Sequence, residues 1–245
     1  TTSTDSASGV GNGLHADTGT WTFAGDVPRV FGDHVRHSVP LYDIGHDLVC
    51  DLATSFLGRD GRGVGYELGC ATGELLHRLA THSPVHAAAR WIGVDREEGM
   101  TTAARERCAG LGNVELVHGD LTTLDYEACD FVVAYLTLHF IPIDQRVPVI
   151  RRLHDALRPG GALFLFEKVL AANAQLEDLF TTLHYRWKRG AGLSPEEILN
   201  KKDSLVGILK PTTSDDNVAM LHAGGFTTTA TALKHLCFEG FVAVK

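Results

Sequence analysis

The stretch "GVGYELGCATGELLHRLA", residues 63–80, decides the fold of this chain. It begins as a short apolar strand, reaches a carboxylate at Glu67, turns through Gly69 and Gly73 and enters a helix. Such a strand–turn–helix unit is typical of nucleotide-binding α/β folds. It is not a P-loop, because it lacks G-x-x-x-x-G-K-[ST], and Ala71 stands where a dinucleotide-binding turn has its middle glycine. The carboxylate of Glu67 would repel a pyrophosphate and attract a cation. It therefore favours a nucleoside ligand that carries a cationic amine.

Strands and helices alternate after this stretch. Continuous apolar strands separated by helices predict a parallel sheet that is covered on both faces. The chain closes with a further predicted pair of strands. We therefore predict an α/β fold with a doubly wound, mostly parallel, seven-stranded Rossmann-like sheet. The predicted strands are 64–68, 91–94, 114–117, 131–135 and 162–167, and the helices between them are 74–81, 97–109 and 144–157.

Two helical additions and a tail complete the predicted organisation. Residues 21–60 form an N-terminal helical cover with a helix over 42–56, and residues 171–212 form an inserted helical lid. The second lid helix has Ser194 as N-cap with Glu197 three residues later, which is a capping-box pattern, and a further helix is predicted near 214–222. Residues 1–20 are rich in Thr, Ser, Gly and Asp and predict a disordered tail, which leaves 21–245 as the folded domain.

Composition narrows the class of protein and its partners. The 245 residues carry a net charge of -8 and a sequence pI near 5.9, which makes a nucleic-acid partner unlikely. Five scattered cysteines without a C-x-x-C pair argue against a disulfide framework or a zinc site, so no metal is expected and a cytoplasmic location is predicted. The sequence has neither a signal-peptide pattern nor an apolar run of membrane-spanning length, so no membrane partner is expected.

Acidic residues end the first three strands of the alternation. Asp95 follows the second strand and Asp120 the third, so both are predicted to lie with Glu67 at the carboxyl edge of the sheet, where open α/β folds bind ligands. Asp95 suits a ribose diol and Asp120 suits an adenine amine. Any one of them alone is as well explained as a turn or helix-cap acid. Three at consecutive strand ends favour a binding edge.

These motifs resemble known families. The segments "YELGCATG", "IGVD", "HGDL" and "LRPGGALFLFEK" look like those of class I S-adenosylmethionine-dependent methyltransferases. The segments "SVPLY", "YLTLHF", "HYRWKRGAG" and "LHAGGF" extend the similarity to the carboxy-S-adenosylmethionine synthase group, which acts in wobble-uridine modification of tRNA. This resemblance covers nearly all of the chain after Trp21.

The resemblance implies a cofactor, S-adenosylmethionine, and a set of residues that bind it. It assigns Glu67, Gly69 and Gly73 to the methionine end, and it implies a homodimer. Tyr42 is expected to close over the cofactor from the N-terminal cover. The full implied set is Tyr42, Glu67, Gly69, Gly73, Asp95 for the ribose, Asp120 and Leu121 for the adenine, and Tyr135.

Two positions depart from the synthase group, in which an Arg and an Asn hold the extra carboxylate. Lys202 stands at the Arg position and Tyr135 at the Asn position. A lysine lacks the planar fork with which arginine binds a carboxylate, and a tyrosine ring suits a cation–π contact with a sulfonium. We therefore predict that this chain does not make the carboxylated cofactor.

The predicted function is methyl transfer to a small-molecule acceptor, in bacterial specialised metabolism. Such a transfer is an in-line displacement that depends on alignment, and a base assists when the acceptor carries a proton. His139 is the first candidate base, and His184 and Tyr185 are others, although in a chain with 13 histidines many are surface or core residues. The predicted catalytic set is Tyr135, His139, Tyr185 and Lys202.

Other functions remain open at this point. The same pocket could cyclise S-adenosylmethionine to azetidine-2-carboxylate with release of methylthioadenosine, or could carry out carboxy-S-adenosylmethionine synthesis. A non-catalytic cofactor-binding module would keep Glu67, Asp95 and Asp120 without a productive acceptor pocket.

Overall fold

The computed structural model describes residues 8–58 and 63–245. The strands, numbered in chain order, are β1 (Gly9–Gly11), β2 (Leu14–His15), β3 (Val64–Leu68), β4 (Arg90–Asp95), β5 (Val114–His118), β6 (Cys129–Tyr135), β7 (Leu157–Leu170), β8 (Thr212–Thr213), β9 (Thr228–His235) and β10 (Phe238–Val244). The α-helices are α1 (Val27–Arg36), α2 (Tyr42–Phe56), α3 (Glu74–Thr81), α4 (Pro84–Ala88), α5 (Glu98–Arg107), α6 (Ile143–Ala156), α7 (Ala174–Gly190), α8 (Pro195–Ser204) and α9 (Ser214–Ala223).

The main sheet has the predicted doubly wound topology. Its seven strands run in the order β5-β4-β3-β6-β7-β10-β9, and β8 pairs with the end of β7. The first five are mutually parallel, and β10 lies antiparallel to both β7 and β9. The chain runs outward from β3 to β5 and then resumes on the other side at β6. This reversal opens a crevice at the carboxyl ends of β3 and β6, which is where such sheets bind ligands.

Burial on both faces explains why the central strands are continuous apolar runs. All five residues of β3 are buried, and so are six of the seven residues of β6. Gly65 is needed in β3, because a Cβ there would collide with the ring of Trp91 on β4. The one charged side chain in β3, Glu67, lies at its carboxyl end, at the crevice.

The predicted helical cover and lid are present as helices. α2 has the predicted bounds, 42–56, and α7 and α8 lie within the predicted lid. The predicted capping box is confirmed: Ser194 Oγ accepts from the Glu197 amide at 3.1 Å, and Glu197 accepts from the Ser194 amide at 2.8 Å. β7 begins at Leu157, five residues before the predicted strand, and its pairing with β6 becomes regular only at Ala162.

The prediction of a disordered tail over residues 1–20 is wrong for residues 8–20. Residues 1–7 lie outside the described residues, but β1 and β2 form a hairpin. Val10 and Leu14 are buried in a small cluster with Trp21, and the Asn200 side chain on α8 donates to the Gly9 carbonyl at 3.0 Å. Val27 of α1 and Met100 of α5 complete the cluster that buries these two side chains.

Within the described ranges, none of the helices is both long and apolar enough to cross a membrane.

Candidate functional site

The turn after β3 is shaped for close approach of a ligand. Gly69, Ala71 and Gly73 all have positive φ, of 71°, 46° and 72°. A Cβ at Gly69 would lie 2.5 Å from Thr137 Oγ1, so the turn is packed directly against the loop that follows β6. The Gly69 amide donates to the Val94 carbonyl at 2.8 Å, which ties the turn to the next strand. The two predicted glycines therefore stand where the backbone must bend and where no side chain fits.

Glu67 carries a buried carboxylate whose second oxygen has no partner. Its side chain is 4% exposed and lines the cavity, and Oε2 makes no hydrogen bond to any described residue. Burial, assisted by the nearby charge of Asp95, raises the pKa of Glu67 well above its usual range. A buried carboxylate of this kind is stabilised by a cationic ligand, because the ligand supplies both the missing hydrogen bond and the counter-charge.

Asp95 and Asp120 lie at the ends of β4 and β5, as predicted. Asp95 accepts from the amides of Ala71 and Glu97, both at 2.9 Å, so it also joins the glycine turn to the loop before α5. Asp120 accepts from the amide and hydroxyl of Thr122 at 2.8 and 2.7 Å. Both acids line the same cavity as Glu67, and so does Leu121. The structure thus brings the predicted cofactor-binding residues of three strands to one edge.

Aromatic side chains line the cavity together with Glu67. The rings of Tyr42 and Tyr135 meet edge to face at 5.5 Å, and His46 packs against both. The Tyr135 hydroxyl donates to the Tyr42 carbonyl at 3.0 Å and lies directly against Gly45, where a Cβ would overlap it. Tyr42 and Tyr135 are therefore held in one cluster across the cover and the sheet, next to Glu67 in the cavity lining.

The same cavity is also lined by a group of residues here called the lysine compartment: Trp21, His34, His184, Lys188 and Lys201. The whole cavity has a volume of about 670 Å³. Lys188 and Lys201 are 9% and 7% exposed, and no salt bridge joins either of them to a carboxylate in the described part of the chain. The Lys201 ammonium lies over the Trp21 ring. Burial, followed by repulsion from neighbouring lysines, lowers the pKa of Lys188 to about 8 and that of Lys201 to about 5.

The candidate base His139 lies in the short 3₁₀ helix Leu138–Phe140 and is 4% exposed. It lines the cavity, and its Nδ1 is 2.6 Å from Oε2 of the buried Glu167 on β7. His184 also lines the cavity, but its Nε2 is bonded to the Ser38 carbonyl at 2.9 Å. Of these two predicted histidines, His139 alone has a carboxylate from the described residues bonded to its ring.

Two predicted catalytic residues do not line the cavity. Tyr185 and Lys202 lie on α7 and α8, but the residues that face the cavity from these helices are His184, Lys188 and Lys201. Lys202 is exposed, one position along the helix from the buried Lys201. Neighbouring helical residues point about 100° apart, so Lys202 points away from the cavity that Lys201 lines. Sequence reasoning missed Lys188, Lys201, Trp21 and Glu167; the i, i+4 spacing of His184 and Lys188 was the available signal for one face of α7.

Asp43, His46 and Glu74 are the one group of potential metal ligands among the described residues. Arg36 already pairs with both carboxylates, and Arg78 pairs with Asp43. Positive charges in this position compete with a metal ion, so the group is explained as an ion-pair network between α1, α2 and α3.

Comparisons with known proteins agree with this geometry. A family model described as "Methyltransferase domain" matches residues 66–161. The chain is 33% identical over 220 residues to a carboxy-S-adenosyl-L-methionine synthase of Wolinella succinogenes, covering 89% of this chain and 91% of that one. It is 34% identical over 235 residues to a protein of the same name from Pseudomonas aeruginosa, covering 91% and 93%.

Solved structures show the same fold at low identity. A putative O-methyltransferase from Nostoc punctiforme superposes with a TM-score of 0.62 at 16% identity, over 90% of this chain and 59% of that one. Human N-acetylserotonin methyltransferase, in complex with S-adenosylmethionine, superposes with a TM-score of 0.60 at 13% identity, over 91% and 57%. This chain therefore spans less than two thirds of either structure, and the likeness to them concerns the fold.

Proposed function

The chain belongs to the family of the carboxy-S-adenosyl-L-methionine synthases within the class I S-adenosylmethionine-dependent methyltransferases, and on this premise we propose that it methylates a small, negatively charged acceptor. It is an S-adenosylmethionine-dependent transferase. The observation that carries the proposal is that one cavity of about 670 Å³ is lined both by the residues that suit the cofactor and by the lysine compartment. Methyl transfer needs room for a second molecule beside the sulfonium, and this compartment supplies it.

The residues at the sheet edge fit S-adenosylmethionine chemically. The unpartnered Oε2 of Glu67 suits the α-ammonium group, and Asp95 suits the ribose diol. The positive φ values of Gly69 and Gly73 leave the backbone open to the methionine end, and Tyr42 with Tyr135 presents aromatic surface to a cationic sulfonium. Asp120 and Leu121 lie where the adenine is expected.

The charge of the lysine compartment supports an acidic acceptor. An ion buried without a partner costs several kcal/mol, and no carboxylate of the described chain pairs with Lys188 or Lys201. With a pKa of about 8, Lys188 keeps its proton at neutral pH, whereas Lys201, with a pKa of about 5, loses it unless a counter-charge is present. A carboxylate on the acceptor would pair with Lys188 and draw a proton onto Lys201.

Methyl transfer is favoured over carboxy-S-adenosylmethionine synthesis, the activity named for the relatives, by the two departures from that group. The Tyr135 hydroxyl donates to the Tyr42 carbonyl and fills the space beside Gly45. Tyr135 therefore has no side-chain donor left for a carboxylate, whereas an asparagine would present its amide. Lys202, which stands at the arginine position, is exposed and lies outside the cavity of its own chain.

A second candidate is intramolecular cyclisation to azetidine-2-carboxylate, which one observation favours. The α-amine must lose its proton before it attacks the γ-carbon, and Glu67 has a raised pKa and a free oxygen in a closed, aromatic environment. A carboxylate of this kind accepts a proton more readily than an exposed one. Cyclisation needs no second substrate, so it leaves the lysine compartment without a role.

One experiment separates these functions. The purified protein is incubated with S-adenosylmethionine alone and with a panel of aromatic and aliphatic carboxylic acids that carry hydroxyl or amino groups, and the products are identified by liquid chromatography and mass spectrometry. We expect S-adenosylhomocysteine together with a product 14 mass units heavier than one acid. Methylthioadenosine from the cofactor alone would support cyclisation, and a carboxylated cofactor would support the relatives' activity. Tight cofactor binding without any product would support a non-catalytic module.

The remaining parts of the proposal concern setting and assembly. Five buried, unpaired cysteines suit a reducing cytoplasm. We propose bacterial specialised metabolism as the context, a small molecule as the partner and a homodimer as the assembly. Light scattering coupled to gel filtration measures the last, and a monomer at micromolar concentration would contradict it.

A further inference from the structure

We propose that His139 accepts the acceptor's proton and that Glu167 is the positioning residue that prepares it, an inference that rests on the proposed methyl transfer. The acceptor atom is then one that carries a proton before attack, such as a hydroxyl oxygen or an amine nitrogen. The two side chains come from different elements, the 3₁₀ helix after β6 and the strand β7.

Glu167 is held rigidly by the backbone that carries His139. Its side chain is 2% exposed. Oε1 accepts from the amides of Thr137 and Leu138 at 3.3 and 2.9 Å, and Oε2 accepts from the amide of His139 at 2.8 Å. Three backbone N–H groups directed at one carboxylate fix its position and satisfy both of its oxygens.

The same carboxylate determines which nitrogen of His139 carries the proton. Glu167 Oε2 lies 2.6 Å from Nδ1, a distance that requires a proton between the two atoms. The Lys168 amide is also directed at Nδ1, but at the longer distance of 3.3 Å. Because the carboxylate already accepts from three amides, Nδ1 is assigned as the donor to Glu167, and the neutral ring then has its lone pair on Nε2. No described residue is hydrogen-bonded to Nε2, and His139 lines the cavity.

His139 is close to the glycine turn and is connected through Phe140 and Phe23 to Trp21 of the lysine compartment. Two residues before it, the Thr137 hydroxyl donates to the Leu68 carbonyl at 2.8 Å, next to the glycine turn. On the other side its own carbonyl accepts from the Lys210 amide at 2.8 Å, and the adjacent Phe140 meets Phe23 edge to face at 5.0 Å. Of the four histidines that line the described cavity, His139 alone has a carboxylate bonded to its ring.

The proton and electron balance of the step follows from this arrangement. Nε2 takes the proton from the acceptor's O–H or N–H, whose electron pair forms a bond to the methyl carbon. The carbon–sulfur bond breaks, and its electron pair stays on sulfur as a neutral thioether. The positive charge of the sulfonium is replaced by that of an imidazolium, which the Glu167 carboxylate stabilises at 2.6 Å.

The first test observes the histidine itself and needs no acceptor. The ring nitrogens of ¹⁵N-histidine-labelled protein are assigned with His139→Gln, and their shifts identify the tautomer. We expect a proton on Nδ1 of His139 in the wild type, and a mixed tautomer in Glu167→Gln. Diethyl pyrocarbonate, mapped by mass spectrometry, should modify His139, and S-adenosylhomocysteine should protect it. A proton on Nε2, or the absence of any modification at His139, overturns the proposal.

The second test measures the reaction with any acid methylated in the panel. His139→Gln should lower kcat by about 10²–10⁴ while the Kd for S-adenosylmethionine, measured by calorimetry, changes less than about twofold. Glu167→Asp should recover part of the activity that Glu167→Gln loses. Undiminished methylation by His139→Gln would refute the dyad and leave the proposed function intact. If the protein methylates no acid, the proposed function is wrong. The NMR measurement still shows which ring nitrogen of His139 carries the proton.

Discussion

Replacing Lys201 with methionine is expected to make the protein more stable, and by an amount that depends on pH. The ammonium of a lysine in an unfolded chain keeps its proton up to a pKa of 10.5, whereas burial, with added repulsion from Lys188, lowers the pKa of Lys201 to about 5. Between these values the unfolded chain binds one proton more than the native chain at this residue. The free energy of unfolding of the wild type therefore rises with pH across this window, because stability rises wherever the unfolded state binds more protons.

The magnitude follows from the linkage. One proton corresponds to about 1.4 kcal/mol for each pH unit. Between about pH 6 and about pH 8 the stability of the wild type should rise relative to Lys201→Met by about 2.7 kcal/mol, the other titrating groups being common to both chains. Methionine has a similar length and no charge, so it keeps the packing against Trp21. The exposed neighbour Lys202→Met is the control and should show no such pH dependence.

Urea denaturation followed by circular dichroism at several pH values measures these differences. A stability difference between wild type and Lys201→Met that stays constant within about 0.5 kcal/mol over this range would refute the reasoning. It would mean that Lys201 stays protonated, with its charge stabilised by the Trp21 ring. Benzoate or another carboxylate that binds the lysine compartment should flatten the wild-type dependence, because the bound anion restores the proton on Lys201.

Three further outcomes are expected. Glu67→Gln should weaken S-adenosylmethionine binding by about 10- to 100-fold in calorimetry, since a charge-assisted hydrogen bond contributes about 1.5–3 kcal/mol; an unchanged Kd would remove Glu67 from the site. Gly45→Ala should lower stability by about 1–3 kcal/mol through overlap with the Tyr135 hydroxyl, and Tyr135→Phe should relieve part of this, whereas Gly112→Ala, which has open space around it, should not destabilise. Ser194→Ala should cost about 0.5–2 kcal/mol by removing the cap of α8, and an unchanged melting temperature would contradict the capping-box argument.

The sequence predicted those structural features that are determined by residues close together in the chain. The helix over 42–56 and the helix over 74–81 have the predicted bounds, because periodic apolar positions and the glycine turn before α3 determine them. The capping box of α8 was predicted for the same reason. The hairpin of β1 and β2 was missed because its two buried side chains, Val10 and Leu14, are too few to stand out within a polar segment.

The sequence by itself determined the fold class and the cofactor, and it predicted the edge of the sheet at which the cofactor binds. Parallel strands place their carboxyl ends together, so Glu67, Asp95 and Asp120 had to converge once the strand order was known. Only the tertiary structure decided which side chains complete the site. Lys201 faces the cavity and Lys202 does not, because the packing of α8 sets the rotation of the helix about its axis. The meeting of Glu167 with His139 likewise depends on the pairing of β6 with β7, a contact between residues 28 positions apart that no local pattern encodes.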